Sequence, residues 1–491
     1  MRESMQVNRK AAHCSTSEMI KYALGACTES LVLNTFFGYS MLYYTKALGL
    51  APQMAGLTTF IATLWGAMAD PVMGHISDNT KSRFGKRYPY ILAGGVVMIV
   101  GFFFIWYVPD FFQTDKVLPA IKIPRMTMLF GYLVVMNLIF RTGYTVFIVP
   151  YTALGFEICS DYQGRSRIQG IRNAMNMAAN LLGPALAWTI YFNNNTGPVR
   201  DTQIAQNYIN MGFSFTLAAF IFLGLMLVFM VRYIKDSRCD QTRSSSPASF
   251  FRNIREILQD AYARRVFGFI FVVMLGIVLV STLQMYVFDD FMKLGGTRKT
   301  LAHGGTMVGM GLGSLSLGFF VKRFDKKGAI YIAVAGSVLC ELILAGLFLT
   351  GFIPINLEMC GIPVAFAIFV FFHSAYWFGN GILIPTATSM MADISEINEI
   401  KTGVNKDGSY AAMFSLITKV SMGIGGLAAG YGLNWTGFQM GDNAVQVPQF
   451  AWSVSALTFV AGPLISLMAM VFIMKYEATQ MSIDSFRGKS K

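Results

Sequence analysis

The chain has 491 residues, 54% of them hydrophobic and only 13% charged, where a soluble globular domain carries roughly 25% charged residues. That composition excludes an ordinary soluble protein and points to a polytopic membrane protein. The formal charge of +13 raises a nucleic-acid partner, but the placement of the basic residues argues against one. With the spans drawn below, 29 of the 39 Lys and Arg fall on one side, 8 on the other and 2 within spans, an asymmetry that places basic connections in the cytoplasm.

The start, MRESMQVNRKAAHCSTSE, lacks the apolar core and small-residue cleavage site of a removable signal, so residues 1–18 read as a cytoplasmic tail. Apolar runs of the roughly 20 residues needed to cross a bilayer lie near 19–45, 52–77, 89–108, 126–155, 167–192 and 208–234. Six more lie near 264–288, 301–321, 329–350, 361–391, 408–434 and 450–475. The expectation is an all-α membrane protein of twelve transmembrane helices in two six-helix bundles, 19–234 and 264–475. A cytoplasmic linker, 235–263, joins them, and 476–491 forms a second cytoplasmic tail. The linker opens with a serine run and Pro247, while FFRNIREILQDAY has the apolar spacing of a surface helix. Both termini are expected in the cytoplasm, with the chain in the cell (inner) membrane as a monomer.

The six cysteines, at 14, 27, 159, 239, 340 and 360, show no C-x-x-C spacing, so they read as packing residues rather than a disulfide framework or zinc site. Two N-x-T sequons, beginning at Asn194 and Asn434, fall on expected outer segments.

The halves echo one another. VPYTALGFEICSD in the fourth span and IPTATSMMADISE in the tenth align Pro150 with Pro385 and Asp161 with Glu396. GHISDNTKSRFGK after the second span has a shorter counterpart in GFFVKRFDKKG after the eighth. Parallel repeats of this kind belong to transporters whose halves rock about a midplane site.

Three stretches carry a specific signal: ADPVMGHISDNTKSRFGKRYPYIL, VPYTALGFEICSDYQGRSRIQGIR and ADISEINEIKTGVNKDGSYAAMFSLITK. Together they resemble the glycoside-pentoside-hexuronide:cation symporter family of the major facilitator superfamily, typified by melibiose permease. The resemblance covers nearly all twelve spans. It implies a cation-coupled transporter of a small solute, with no enzymatic activity and no cofactor beyond the coupling ion.

Ionisable residues inside spans are costly and mark function by default. Asp70 shares a face of the second helix with Thr59, Thr63 and Gly66, and the resemblance makes it a cation-coupling carboxylate, with Thr145 at a second cation-site position. The family's further carboxylate, one turn earlier, is Gly66 here, and Ala69 stands where an Asn is usual. A sodium ion needs several oxygen ligands, so this depletion favours a proton as coupling ion, with sodium the alternative. Arg141, on the face of Thr145 and Thr152, is expected to pair with Asp70 as a tethered cation, or else to bond carbonyls. Glu29 is expected to partner Arg141 or Asp70, or to carry a second proton.

Arg172, Asn173, Asn176 and Asn180 form a stripe on the fifth helix suited to a polyhydroxylated solute, or to helix packing. Trp377, near His373, Tyr376 and Asn380, offers a ring for stacking on a sugar, while His373 reads as a satisfied interior histidine. Lys419 matches a family lysine and needs an acid or an anionic substrate. Glu157, Asp161, Asp393, Glu396 and Glu399, with Asp78, Arg83, Arg165, Arg167 and Lys401, are expected to form a cytoplasmic gate of exchangeable ion pairs.

The family's galactoside-gripping acids correspond to Ser30 and Ile148, and its helix-four Trp to Thr152, so melibiose-type recognition is not expected. Arg141, Arg172, Lys419 and the Asn stripe suit an acidic sugar such as a hexuronide. The alternatives are a lysophospholipid symporter, an uncoupled uniporter and, outside transport, a membrane receptor.

Overall fold

The computed structural model describes residues 15–80, 82, 84–113, 124–158, 162–194, 199–236, 256–359, 363–403, 406–441, 444–474 and 476. Among them the first half forms α1 (Thr16–Leu42), α2 (Pro52–Asn79), α3 (Tyr88–Trp106), α4 (Arg125–Ile158), α5 (Tyr162–Leu186) and α6 (Ala205–Asp236). The second half forms α7 (Ala261–Tyr286), α8 and α9 within Gly296–Leu344, α10 (Val364–Thr402), α11 (Asp407–Trp435) and α12 (Pro448–Met474). Most of the linker, 237–255, lies outside the described residues.

Among the described residues eight helical runs are long and apolar enough to cross a membrane, and one of them, Gly296–Leu349, holds both α8 and α9. The break between these two is Asp325, at φ 59 and ψ 170, a region that only glycine enters at low cost. The Lys326 amide donates to the Asp325 carboxylate at 2.7 Å, holding the turn. The remaining helices α1, α2 and α5 are amphipathic or polar on one face, because they carry Glu29, Asp70, Arg172 and the Asn stripe.

The chain enters α1 at one face of the bundle, here the entry face, through a capping box in which Ser15 and Glu18 satisfy each other's amides. Odd-numbered helices run from it to the distal face. α10 continues eleven residues past the expected end at 391 and stops at Gly403, φ 69, because the segment from Asp393 to Lys401 keeps helical spacing. At about 1.5 Å per residue its 39 residues outreach a hydrocarbon layer of about 30 Å.

Among the described residues five π-helical turns, Tyr43–Ala47, Ala187–Tyr191, Val287–Phe291, Ala345–Leu349 and Leu457–Ala461, extend or interrupt α1, α5, α7, α9 and α12. All lie toward the distal face. Such turns rotate the residues beyond them and cluster at functional sites.

One apolar cluster joins the halves there, bringing Phe36, Tyr43, Trp106 and Trp188 together with Tyr286, Phe288, Phe438 and Phe450. A second, including Phe267, Ile270, Val334, Ile394 and Tyr410, stays within the second half. α2 and α11 also meet across the halves through direct backbone contact at glycines. A Cβ on Gly56 would lie 2.9 Å from the Gly426 carbonyl, and one on Gly430 would strike the Pro52 carbonyl. Small residues of this kind let helix backbones touch in lipid.

Candidate functional site

At the entry-side end of this α2–α11 contact sits Asp70. Its Oδ1 accepts from the Thr145 hydroxyl at 2.8 Å, and its Oδ2 is bonded by the Lys419 ammonium. Both oxygens of the carboxylate are therefore taken, one from within its own half and one across to the other. About a fifth of each charged side chain is exposed, so the pair is neither dry nor fully hydrated. The cation that meets Asp70 is thus Lys419, not the expected Arg141.

Arg141 donates to Thr63 at 3.2 Å and lies among aromatic rings, its guanidinium 4.8 Å from the Phe37 ring centre and 5.5 Å from that of Phe36. It is 5% exposed and has no carboxylate within ion-pair distance among the described residues, a correction to its expected pairing with Asp70. A guanidinium over aromatic faces is stabilised without a counter-ion. Its Nε is buried without a hydrogen-bond partner.

Glu29 turns instead to the fifth helix. Its Oε2 accepts from Arg172 at 3.2 Å and its Oε1 from the Tyr144 hydroxyl at 3.1 Å. Neither expected partner, Arg141 or Asp70, bonds it. Arg172, read as substrate-binding, is thereby neutralised, and it also lies 5.1 Å over the Tyr151 ring.

Along the Asn stripe, Asn173 is exposed and Asn176 half-buried, with the Asn176 carbonyl accepting from Ser30 at 2.8 Å. Asn180 reaches the Met307 sulfur on α8, so the stripe runs from open surface into the contact between halves. Trp377 is not open for stacking. It is 6% exposed and its indole N–H donates to Gln284 at 3.3 Å. Gln284 and Glu341 also hold His373, at 2.8 and 2.7 Å, which is the satisfied interior histidine expected.

The model for the family described as MFS/sugar transport protein matches residues 21–480. The chain belongs to this family. The MFS protein is 23% identical to the uncharacterized symporter sll1374 of Synechocystis, over 89% of this chain and 88% of that one. It is also 23% identical to the uncharacterized symporter YjmB of Bacillus subtilis, over 94% and 92%. The sodium-dependent lysophosphatidylcholine symporter 1 of Gallus gallus is 23% identical over 66% of this chain and 63% of its own length. Among solved structures, the nucleoside transporter NupG superposes with a TM-score of 0.60 at 13% identity, covering 94% of this chain and 98% of that one. The inward-open xylose transporter XylE of E. coli gives 0.59 at 14%, covering 96% and 99%. The chain is thus a multi-pass membrane transporter of the MFS, not an enzyme, with the twelve-helix fold in two six-helix bundles.

In this MFS transporter the largest charged cluster among the described residues lies at the distal face, where the sequence reading placed none. Lys46, at the end of α1, bonds Asp289, and Asp290 at 2.7 Å. Arg200 reaches Asp290 at 2.6 Å, and Lys299 reaches Asp289 at 2.5 Å. Thr202 donates to Asp289 at 2.7 Å, and Thr45 meets Tyr286 at 2.7 Å. Lys46 and Arg200 come from the first half, and the two aspartates and Lys299 from the second. Both aspartates are almost fully buried, at 0% and 3% exposure.

At the entry face two ion pairs lie within the second half: Lys326 with Asp393 at 2.5 Å and Lys406 with Glu256 at 2.7 Å. Arg167 donates to Thr16 in its own half at 3.3 Å. Glu396 and Glu399 are half-buried on α10, and Lys401 lies 4.9 Å over the Tyr262 ring. Of the expected gate, Arg83 and Asp161 lie outside the described residues, as do the side chains of Asp78, Glu157 and Arg165.

Proposed function

We propose that this transporter is a symporter in which a proton on Asp70 competes with Lys419 and so governs the contact between the halves. The observation that carries the reading is the Asp70–Lys419 pair. One carboxylate, its other oxygen held by Thr145, meets one ammonium from the opposite half. Protonating Asp70 removes the attraction, and Lys419 is then free to seek another anion. Sodium would need further oxygen ligands, which this site with Gly66 and Ala69 does not supply. On the positive-inside orientation the entry face is cytoplasmic and the distal face outward, so the conformation described is shut to the outside.

The substrate we propose is an anionic sugar or glycoside, of the hexuronide type. Of the three intramembrane cations singled out, Arg172 and Lys419 are paired with Glu29 and Asp70, whereas Arg141 has no carboxylate within ion-pair distance among the described residues. A carboxylate on the solute would meet Arg141, and the half-open Asn173 and Asn176 would take hydroxyl groups. The second reading, a lysophospholipid, is favoured by the relatives named as lysophosphatidylcholine symporters, and a phosphate would suit Arg141 equally.

Uptake into proteoliposomes under an imposed pH or sodium gradient, with a hexuronide, a neutral glycoside and lysophosphatidylcholine, tests both. Hexuronide accumulation driven by the pH gradient and abolished in Asp70→Asn is expected. Accumulation driven by sodium alone overturns the proton, and uptake of lysophosphatidylcholine alone overturns the sugar.

A further inference from the structure

In the second half, away from Asp70, a buried chain of side chains runs Trp377, Gln284, His373, Glu341 across α10, α7 and α9. The hydrogen-bond chemistry fixes most of its protons. An indole N–H only donates, so the Gln284 atom it meets at 3.3 Å is the amide oxygen. The same oxygen lies 2.8 Å from His373 Nε2, which must therefore carry a hydrogen. That leaves Nδ1, 2.7 Å from Glu341 Oε1, as the one undecided position. Without a proton between them a nitrogen lone pair would face a carboxylate in a dry site, at a cost of several kcal/mol. The pair therefore holds a single proton, as imidazolium–carboxylate or imidazole–carboxylic acid.

Two observations set this apart from a fixed structural pair. Glu341 is 0% exposed, yet its Oε2 is buried without a hydrogen-bond partner, an incomplete arrangement for a permanent scaffold. Further, the ring that covers His373 belongs to the same turn as the cluster joining the halves. The Phe288 ring stands edge-on to the imidazole at 6.0 Å, and the next residue, Asp289, is the centre of the buried cluster that joins the halves. Phe288 and Asp289 share one π-helical turn. Whatever parts Asp289 from Lys46 moves that ring as well.

We infer that the Glu341–His373 pair is a second proton-binding site, held in the second half and linked through the Val287–Phe291 turn to closure of the distal face. The proton arrives from water when the turn moves, forms the Nδ1–H bond or the Oε1–H bond, and leaves to water by the reverse step. The titratable neighbours are few. Cys340 lies beside Glu341 on α9, Tyr376 follows on α10, and α8 brings His303 near His373. α7 contributes Gln284 and Phe288, and α12 sets Phe459 against Phe369, which stacks on His373 at 5.3 Å. The inference takes the chain as a transporter but does not depend on Asp70 as coupling site.

The chain has four histidines, so nitrogen-15 histidine labelling of the full-length reconstituted protein gives a readable set of imidazole signals, with His373 assigned by His373→Gln. We expect His373 to exchange between two protonation states as the pH of the reconstituted protein is varied. Its midpoint should move by about one pH unit or more in Glu341→Gln, and also in Lys46→Met, because a proton that senses closure must be held differently once closure is weakened. Should Glu341→Gln fail to fold, Gln284→Met makes the same test from the other ring nitrogen. A single protonation state throughout, or a midpoint indifferent to Lys46→Met, overturns the inference. Asp70→Asn is expected to leave the His373 titration in place. Its disappearance there would assign the proton to the Asp70 site and overturn the second site alone.

Discussion

The ion pairs described at the two faces of the bundle differ in what they join and in how deeply they are buried. At the distal face five charged side chains from both halves are packed beneath aromatic rings, with Asp289 and Asp290 almost sealed from solvent. At the entry face the pairs Lys326–Asp393 and Lys406–Glu256 stay within the second half and are partly exposed. Breaking a buried pair strands a charge and costs about 3–5 kcal/mol, whereas an exposed pair contributes about 0–1 kcal/mol. The distal face is therefore a latch with a definite threshold, and the entry-face pairs are adjustable.

The sharpest way to break this contrast is Asp289→Asn, which leaves Lys46 and Lys299 without their shared carboxylate. The expected loss is about 3–5 kcal/mol of distal closure, read as increased labelling of a cysteine placed at Thr45 by a membrane-impermeant reagent. Next comes the link at the midplane. Lys419→Ala and Asp70→Asn are each expected to reduce gradient-driven accumulation by about tenfold or more, equivalent to about 1.4 kcal/mol, while solute exchange across equal concentrations persists. Loss of exchange as well would make the pair structural.

Arg141→Ala tests solute charge. It should raise the half-saturation concentration for an anionic sugar by about tenfold, the scale of one charge-assisted contact, and barely change that for a neutral glycoside. The smallest effect is expected at the entry face, where Lys326→Ala should shift thermal stability by less than about 1 kcal/mol and leave uptake nearly unchanged. A loss as large as that of Asp289→Asn would erase the contrast between the faces.

The helices were largely legible from hydropathy. α2, expected at 52–77, runs Pro52–Asn79, and α11, expected at 408–434, runs Asp407–Trp435. Asp70 and Lys419 were legible individually, since a charge in an apolar run stands out. Their meeting was not, because 349 residues separate them and only the packing of the halves brings them together. The distal latch was missed for another reason. Lys46, Asp289 and Lys299 fall just outside the expected spans 19–45, 264–288 and 301–321, where charges are ordinary at a membrane boundary, and nothing local marks them as buried. Glu341 lies inside an expected span, in LCELIL, yet a window of about 19 residues averages one acid away.

The bare backbone contact between α2 and α11 has a consequence for how motion spreads. With Gly56, Gly426 and Gly430 at the seam, backbone meets backbone directly there, and the Thr59, Phe60 and Thr63 side chains pack against bare glycines instead of interlocking with side chains at those positions. Dispersion between backbones in contact is also short-ranged, and a gap of about 0.5–1 Å forfeits roughly a quarter to a half of it. Such a seam behaves less like a spring than like a magnetic catch, strong at touch and nearly absent an ångström or two away. Once Asp70 and Lys419 let go at one end, the rest of the contact offers little graded resistance, so intermediate separations are poorly populated.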